Sequence, residues 1–293
     1  MTTTQTTIEA YAKLNFTLEV FPERADGYHA LRSVVVPVSL GDTVSVEESA
    51  GFSSDTGYPD DLCLKAAAAL DPDAGVRVSV KKRIPVGGGL GGGSADAAAV
   101  LVAINRMRGL SLTPVELAAV GARVGSDVPA LVLAQLRRAP VVMEGRGETV
   151  SEIDVGALSP LDIVIAVPPV SSSTAAVYAA CTPRRPSSGC ATGVMVAALM
   201  SGDVRRIAAA VCNDLQPTAE RLHPEISEAA AALRSAGVDG VTMTGSGSCV
   251  FGFARDRLSA EAMAAELLRR GVKALAVRTL VGGRRDGGPQ SLI

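Results

Sequence analysis

The chain has no tryptophan, and phenylalanine and tyrosine make up only 3% of its 293 residues. Its core must therefore be built mostly from alanine, valine and leucine. Five cysteines (Cys63, Cys181, Cys190, Cys212, Cys249) form an odd, scattered set without a CxxC pair. That pattern argues against a zinc site or a disulfide framework and for reduced thiols. A net charge of −2 leaves no positive excess to attract nucleic acid or an anionic membrane. Apolar runs such as Ala97–Ile104 are far too short to span a bilayer. The opening Met1-Thr-Thr-Thr-Gln-Thr-Thr lacks the charged and apolar regions of a signal peptide, so a cytoplasmic protein is expected. What remains is a chain with 47% hydrophobic and 20% charged residues, long enough for two domains.

Glycine is the exception to this plainness. Residues 81–99 read KKRIPVGGGLGGGSADAAA, and six of the seven residues 87–93 are glycine. Such a run turns through backbone conformations closed to other residues and lets a ligand approach the main chain. An apolar run without proline, Ala95 to Arg108, follows and reads as a helix. A glycine loop emptying into a helix N-terminus offers free N–H groups and the positive end of the helix dipole, a place for phosphate.

The flanking sequence mixes strand and helix signals. From Ile8 to Val20 the even positions are all apolar and the odd ones mostly polar, the pattern of a half-buried strand, with Lys13 and Asn15 on its polar face. Pro22–Tyr28 reads as a turn. Strands are expected at 31–40 and 42–48, broken at Gly41, and at 76–80. Thr113-Pro114-Val115-Glu116 has the form of a capping box opening a helix to about Val124. A boundary falls near 151–160. Beyond it come a strand at 161–167, a serine-rich loop and a Pro/Ser/Arg/Gly-rich connection at 182–192. Helices are then expected near 192–201, 203–211, 224–236 and 259–270, with strands at 240–243, 249–254 and 272–280. The order suggests α+β rather than a regular βαβ array. Residues 1–155 and 156–285 are expected to form two domains, with 286–293 a disordered tail.

The loop has several possible identities. A Walker A loop needs Gly-Lys-Ser/Thr, and here Gly93 leads to Ser94 without a lysine. G-x-G-x-x-G fits at Gly87, Gly89 and Gly92, but a dinucleotide unit needs a second strand after the helix, where this chain has the capped helix at 113. A flexible linker would not sit between a patterned strand and a helix. Pro85-Val86-Gly87-Gly88-Gly89-Leu90-Gly91-Gly92-Gly93-Ser94-Ala95 resembles the phosphate loop of the GHMP kinases. Ala12-Lys13-Leu14-Asn15, Arg24–His29, Gly125-Ser126-Asp127-Val128-Pro129 and Thr244–Phe251 resemble, in the same order, further motifs of that family. They are closest to its branch acting on a cytidine diphosphate methylerythritol.

The resemblance implies an N-terminal domain like ribosomal S5 domain 2, a ferredoxin-like C-terminal domain, and ATP with Mg²⁺ as cofactors. It implies transfer of the ATP γ-phosphoryl group to the 2-hydroxyl of that small-molecule substrate, by a monomer or weak homodimer. Residues 85–95 would cradle the phosphates; Ser94 would cap the helix or reach the phosphate or its Mg²⁺. Asp127, which also looks like a helix N-cap, would be the general base and Lys13 would hold it ionised. Asn15 would bond the methylerythritol. Tyr28 and His29 would read cytosine with Tyr178 as the other wall, and Thr174 would approach the nucleotide. The turn at 245–248 would either close the pocket or serve only as a β-turn. Asp96, a carboxylate beside a triphosphate, departs from the usual pattern: it must point away or help hold the metal.

Overall fold

The computed structural model describes residues 5–23, 29–73, 75–156, 158–181 and 191–281. Tyr28, with the rest of the turn at 24–28, the connection at 182–190 and the tail lie outside the described residues. The first sheet is assembled from β1 (Gln5–Glu23), β2 (His29–Glu48), β3 (Ser53–Ser54) and, after helix α1 (Leu62–Leu70), β4 (Val76–Lys81). Three helices follow, α2 (Gly92–Met107), α3 (Pro114–Gly121) and α4 (Val128–Arg137), then the hairpin β5 (Val141–Gly145) and β6 (Thr149–Glu152). The strand order is β3-β4-β2-β1, with β5 and β6 continuing from β2.

The second sheet begins with β7 (Asp162–Ala166), followed by α5 (Thr174–Ala180), α6 (Ala191–Ser201) and α7 (Val204–Ala210). The short strand β8 (Cys212–Asn213) returns to the first sheet, pairing in parallel with β1. Helices α8 (Gln216–Leu222) and α9 (Pro224–Ser235), strands β9 (Asp239–Met243) and β10 (Val250–Phe253), helix α10 (Arg257–Arg269) and strand β11 (Ala274–Arg278) complete it. This antiparallel sheet has the order β11-β7-β10-β9. Counting its own strands in sequence, that is 4-1-3-2, the ferredoxin-like arrangement.

The alternation in β1 does what its period requires on one side: Ala10, Ala12, Leu14, Phe16, Leu18 and Val20 are all buried. The other side is not solvated as a half-buried strand predicts. Lys13, Asn15, Thr17 and Glu19 are buried as well, because residues from the second half of the chain cover them. Three of the five phenylalanines meet at this junction: Phe16 stacks on Phe251 at 5.7 Å and meets Phe253 edge-on at 5.2 Å. Each such pair contributes about 0.5–1.5 kcal/mol beyond its buried area. The scarce aromatics thus tie the two sheets together.

One expectation needs correction. Gly41 does not break a strand: β2 runs unbroken through it, and the misfit is absorbed by a bulge where the partners jump from Tyr11–Gly41 to Lys13–Pro37. The serine-rich stretch at 171–173 is a loop, and it leads into helix α5, not expected from the sequence, which Ser173 caps by accepting from the Ala176 N–H. The capping box at Thr113–Glu116 is present in both directions.

Candidate active site

The glycine loop is fixed through its carbonyl groups. Gly87 O accepts from the N–H groups of Ser172 and Ser248 (both 3.3 Å), Gly88 O from Cys249 N–H (3.1 Å), and Leu90 O from Lys13 N–H (3.0 Å). Gly89 O accepts from Thr244 Oγ1 (3.3 Å). None of these bonds uses a loop N–H, so its donors remain for an anion. Glycine is required where the loop meets its neighbours. A Cβ at Gly89 would lie 2.2 Å from Thr244 O at φ +74°, and one at Gly91 would lie 3.0 Å from Lys13 Cγ at φ +71°.

Helix α2 starts at Gly92, earlier than its alanines suggest, with the left-handed Gly91 at its N-cap. Ser94 is therefore the third residue of the helix and not its cap, which corrects one of its expected roles. Its backbone belongs to the positive end of the dipole, and it lines a cavity of about 300 Å³. Lys13 and Asp127 line the same cavity, with Lys13 Nζ 3.6 Å from Asp127 Oδ2. Asp127 immediately precedes α4, yet its side chain makes no capping bond and its backbone is helical. Its carboxylate is thus not tied to the helix.

Asn15 lies at the same wall but is heavily engaged. Its Oδ1 accepts from Lys13 Nζ and from Gly245 N–H (2.9 Å), and its Nδ2 donates to Ser33 Oγ (2.8 Å). Its backbone N–H donates to Thr244 Oγ1 (3.1 Å). Residues 244–246 are therefore more than a surface turn: Gly245 and Ser246 line the cavity, and Ser246 Oγ meets Thr174 Oγ1 at 2.8 Å. Asn213 locks this segment by donating to the carbonyls of Met243 and Gly245 (2.8 Å each).

At the far end Tyr178 lines the cavity and stacks on His29, ring centroids 6.0 Å apart. Two stacking gaps of roughly 3.4 Å would be needed to seat a base between them, so these rings meet directly. His29 Nδ1 lies 3.0 Å from Phe21 O. A carbonyl only accepts, so Nδ1 carries the proton and Nε2 is the acceptor of the neutral ring. Burial, and then the Asp127 carboxylate, push the Tyr178 phenol well above its ordinary value.

A second cavity of about 350 Å³ lies across the loop, walled by Pro85–Gly93, Leu62, Cys63, Lys82 and Asp96, with Tyr58 and Val86 exposed at its rim. Leu62, Tyr58 and Lys82 were not singled out by sequence. Lys82 stood in view within the basic stretch before the loop, but nothing local distinguishes it from its neighbours. Asp96 is buried, pairs with Lys82 at 2.7 Å and lines this second cavity. Burial pushes its carboxyl up to about 7, with Lys82 opposing and Asp42 adding to the rise. Among the described residues no three His, Cys, Asp or Glu side chains converge to hold a metal, and no helix is long and apolar enough to cross a membrane.

A loop-fed helix dipole facing a lysine–carboxylate pair, between an S5-like and a ferredoxin-like sheet, defines the class of ATP-dependent small-molecule kinases. Comparison with known proteins agrees. The family model for the GHMP kinases N terminal domain matches residues 61–135, and that for GHMP kinases C terminal matches 195–273. The 4-diphosphocytidyl-2-C-methyl-D-erythritol kinase of Symbiobacterium thermophilum is 38% identical, over 94% of this chain and 99% of its own. That of Moorella thermoacetica is 36% identical, over 94% and 99%. A crystal structure of a 4-(cytidine 5'-diphospho)-2C-methyl-D-erythritol kinase, 33% identical, superposes with a TM-score of 0.78 over 95% of this chain and all of that one. A homoserine kinase from Cytophaga hutchinsonii, 19% identical with a TM-score of 0.74, shares the fold. The chain belongs to the GHMP kinase family, in its 4-diphosphocytidyl-2-C-methyl-D-erythritol kinase branch.

Proposed function

We propose that the protein transfers the γ-phosphoryl group of ATP to the 2-hydroxyl of 4-diphosphocytidyl-2-C-methyl-D-erythritol, giving the 2-phosphate and ADP, a step of non-mevalonate isoprenoid precursor synthesis. The observation that carries this reading is that Lys13 and Asp127, an ion pair, line the same cavity as the first turn of α2. Phosphoryl transfer asks the protein mainly to position two reactants and to balance charge.

ATP lies in the second cavity, its base toward Tyr58 and Leu62 and its phosphates on the N–H groups of residues 87–94, the Ala95 N–H being bonded to Gly91 O. Mg²⁺ neutralises charge on the phosphates when bound. The Ser94 hydroxyl, in the first turn of α2, is the side chain that would reach it. The acceptor lies in the first cavity. Asp127 accepts the proton of its 2-hydroxyl as the new O–P bond forms and the bond to ADP breaks, while Lys13 orients the carboxylate. Asn15 fixes the Lys13 ammonium and keeps one Nδ2 hydrogen for the methylerythritol. Thr174 and Ser246 border the path to the diphosphate. Cytosine is read by Nε2 of His29, which accepts from the exocyclic amine, and by the face of Tyr178; Tyr28 is the second wall. Stacking on Tyr178 from the His29 side requires His29 to swing away.

The test is ADP release with Mg-ATP and a panel of alcohols. The cytidyl substrate should turn over far faster than homoserine or mevalonate. Equal rates with homoserine would sink the specific assignment and leave a general kinase.

A further inference from the structure

Asp127 stands at the head of α4, and α4 packs on α2. Its backbone is already helical, so Asp127, Leu131 and Gln135 share one face of that helix at intervals of four. The same interval appears on α2. A Cβ on Gly91 would lie 3.3 Å from Leu131 Cδ1, and Gln135 Nε2 donates to Ala95 O at 3.1 Å. Leu131 thus meets Gly91, and Gln135 meets Ala95 one turn of about 5.4 Å further on. One turn back from Leu131, Asp127 reaches the cavity that Gly89, Gly91 and Ser94 also line. The distance from its carboxylate to the phosphate loop is therefore set by the register of α4 on α2.

Apolar packing holds that register only weakly. The start of α2 offers Gly92, Gly93, Ala95, Ala97, Ala98 and Ala99, positions with no side chain beyond a methyl group. The buried residues of α4, Val128 to Ala134, are all apolar. Apolar burial is non-directional, so such surfaces slide on each other at little cost. Among the described residues the Gln135–Ala95 bond is the one side-chain hydrogen bond between the two helices. Its direction is fixed by chemistry: a carbonyl only accepts, so the amide turns Nε2 toward Ala95 O. The other end of the amide, Oε1, is buried and takes no hydrogen bond from the described residues. A buried acceptor in that state costs stability that an apolar side chain of equal length would not. Stability alone does not account for Gln135.

We propose that Gln135 is a positioning residue for phosphoryl transfer: its amide, bonded to Ala95 O, holds α4 at the register that keeps Asp127 within reach of the reacting hydroxyl. The proposal rests on Asp127 being the general base. Misplacing a reacting group by about 1 Å costs about 100-fold in rate, and a slip of less than one residue's rise, about 1.5 Å, is enough for that. Binding is spared, since Gln135 lines neither cavity.

The experiment measures ADP release and melting temperature for Gln135→Met, which keeps the side chain's length without its amide, for Asp127→Asn and for the double variant. Gln135→Met should melt at or above the wild-type temperature. Its kcat should fall about 5- to 100-fold, with KM for ATP and for the cytidyl substrate within about twofold of wild type. In the double variant, Gln135→Met should cost less than about twofold beyond Asp127→Asn, because changes that act through one group are not additive. Wild-type kcat in Gln135→Met overturns the proposal. So does a full further loss in the double variant, or a joint loss of stability and of both KM values, each the mark of a packing role. Gln135→Leu takes its place if Gln135→Met does not fold. If Asp127→Asn keeps full activity, the base reading fails and takes this proposal with it; if Asp127→Asn loses activity and Gln135→Met does not, only this proposal falls.

Discussion

Lys13 reaches Asp127 from the middle of a buried strand, Nζ 3.6 Å from Oδ2. Lys13 is buried, whereas the Asp127 side chain keeps 33% of its surface exposed. A carboxylate held beside an ammonium but open to the cavity can accept a proton from a bound hydroxyl without leaving its partner.

Replacing that carboxylate should separate chemistry from folding. Asp127→Asn is expected to lower kcat by about 10²–10⁴-fold, with little change in KM for either reactant. Since the side chain makes no helix-capping bond, the melting temperature should stay near that of the wild type. ADP-release kinetics together with a thermal melt check both halves; full activity in the variant removes Asp127 as the base.

The glycine loop should be intolerant at one position and tolerant at another. In Gly89→Ala the new methyl meets Thr244 O, backbone that cannot swing away, at a positive φ. The variant should lose several kcal/mol of stability or fail to accumulate as folded protein. Gly93 lies in the first turn of α2, and its Cβ would meet only Leu62 Cδ1 at 3.8 Å. Gly93→Ala should fold normally and gain up to about 1 kcal/mol from helix propensity. Chemical denaturation of the two proteins distinguishes these outcomes.

Local pattern carried much of this molecule. The period of β1, the capping box at Thr113 and the glycine loop before a helix are each written in adjacent residues, and each appears where the sequence places it. Burial of the Lys13–Asn15 stripe was not legible, because Asn15 bonds to Thr244, 229 residues away. Helix α8 was missed because Pro217 reads as a breaker, although proline in a first turn forfeits no helical bond. Asp96 shows the same limit. Its nearness to the phosphate loop is sequential, while its partner Lys82 follows β4 and also pairs with Asp42 of β2.

The aromatic end of the first cavity should govern the cytidyl substrate alone. Tyr178→Ala removes one stacking face, which for a nucleobase amounts to roughly 1–3 kcal/mol. The KM for the cytidyl substrate should rise about 5- to 100-fold, and the KM for ATP should hold. A matching rise in both would mean that Tyr178 supports the fold and not the base, a distinction that steady-state kinetics in both substrates makes directly.

Asn15 is the most informative single position, because its amide joins the catalytic lysine to the segment at 244–246. Asn15→Leu leaves the Gly245 N–H without its acceptor and the Lys13 ammonium without its guide. A buried polar group left unpaired costs about 1–3 kcal/mol, so a clear loss of stability is expected. Asn15→Asp keeps an acceptor for Gly245 and Lys13, but loses the donor to Ser33 and sets a second carboxylate beside Lys13 in competition with Asp127. This variant should stay nearer to wild-type stability than Asn15→Leu, while its kcat falls and its pH–rate profile shifts. If the two variants lose stability equally and neither alters the pH profile, Asn15 acts in packing alone and the link between Gly245 and Lys13 has no catalytic consequence.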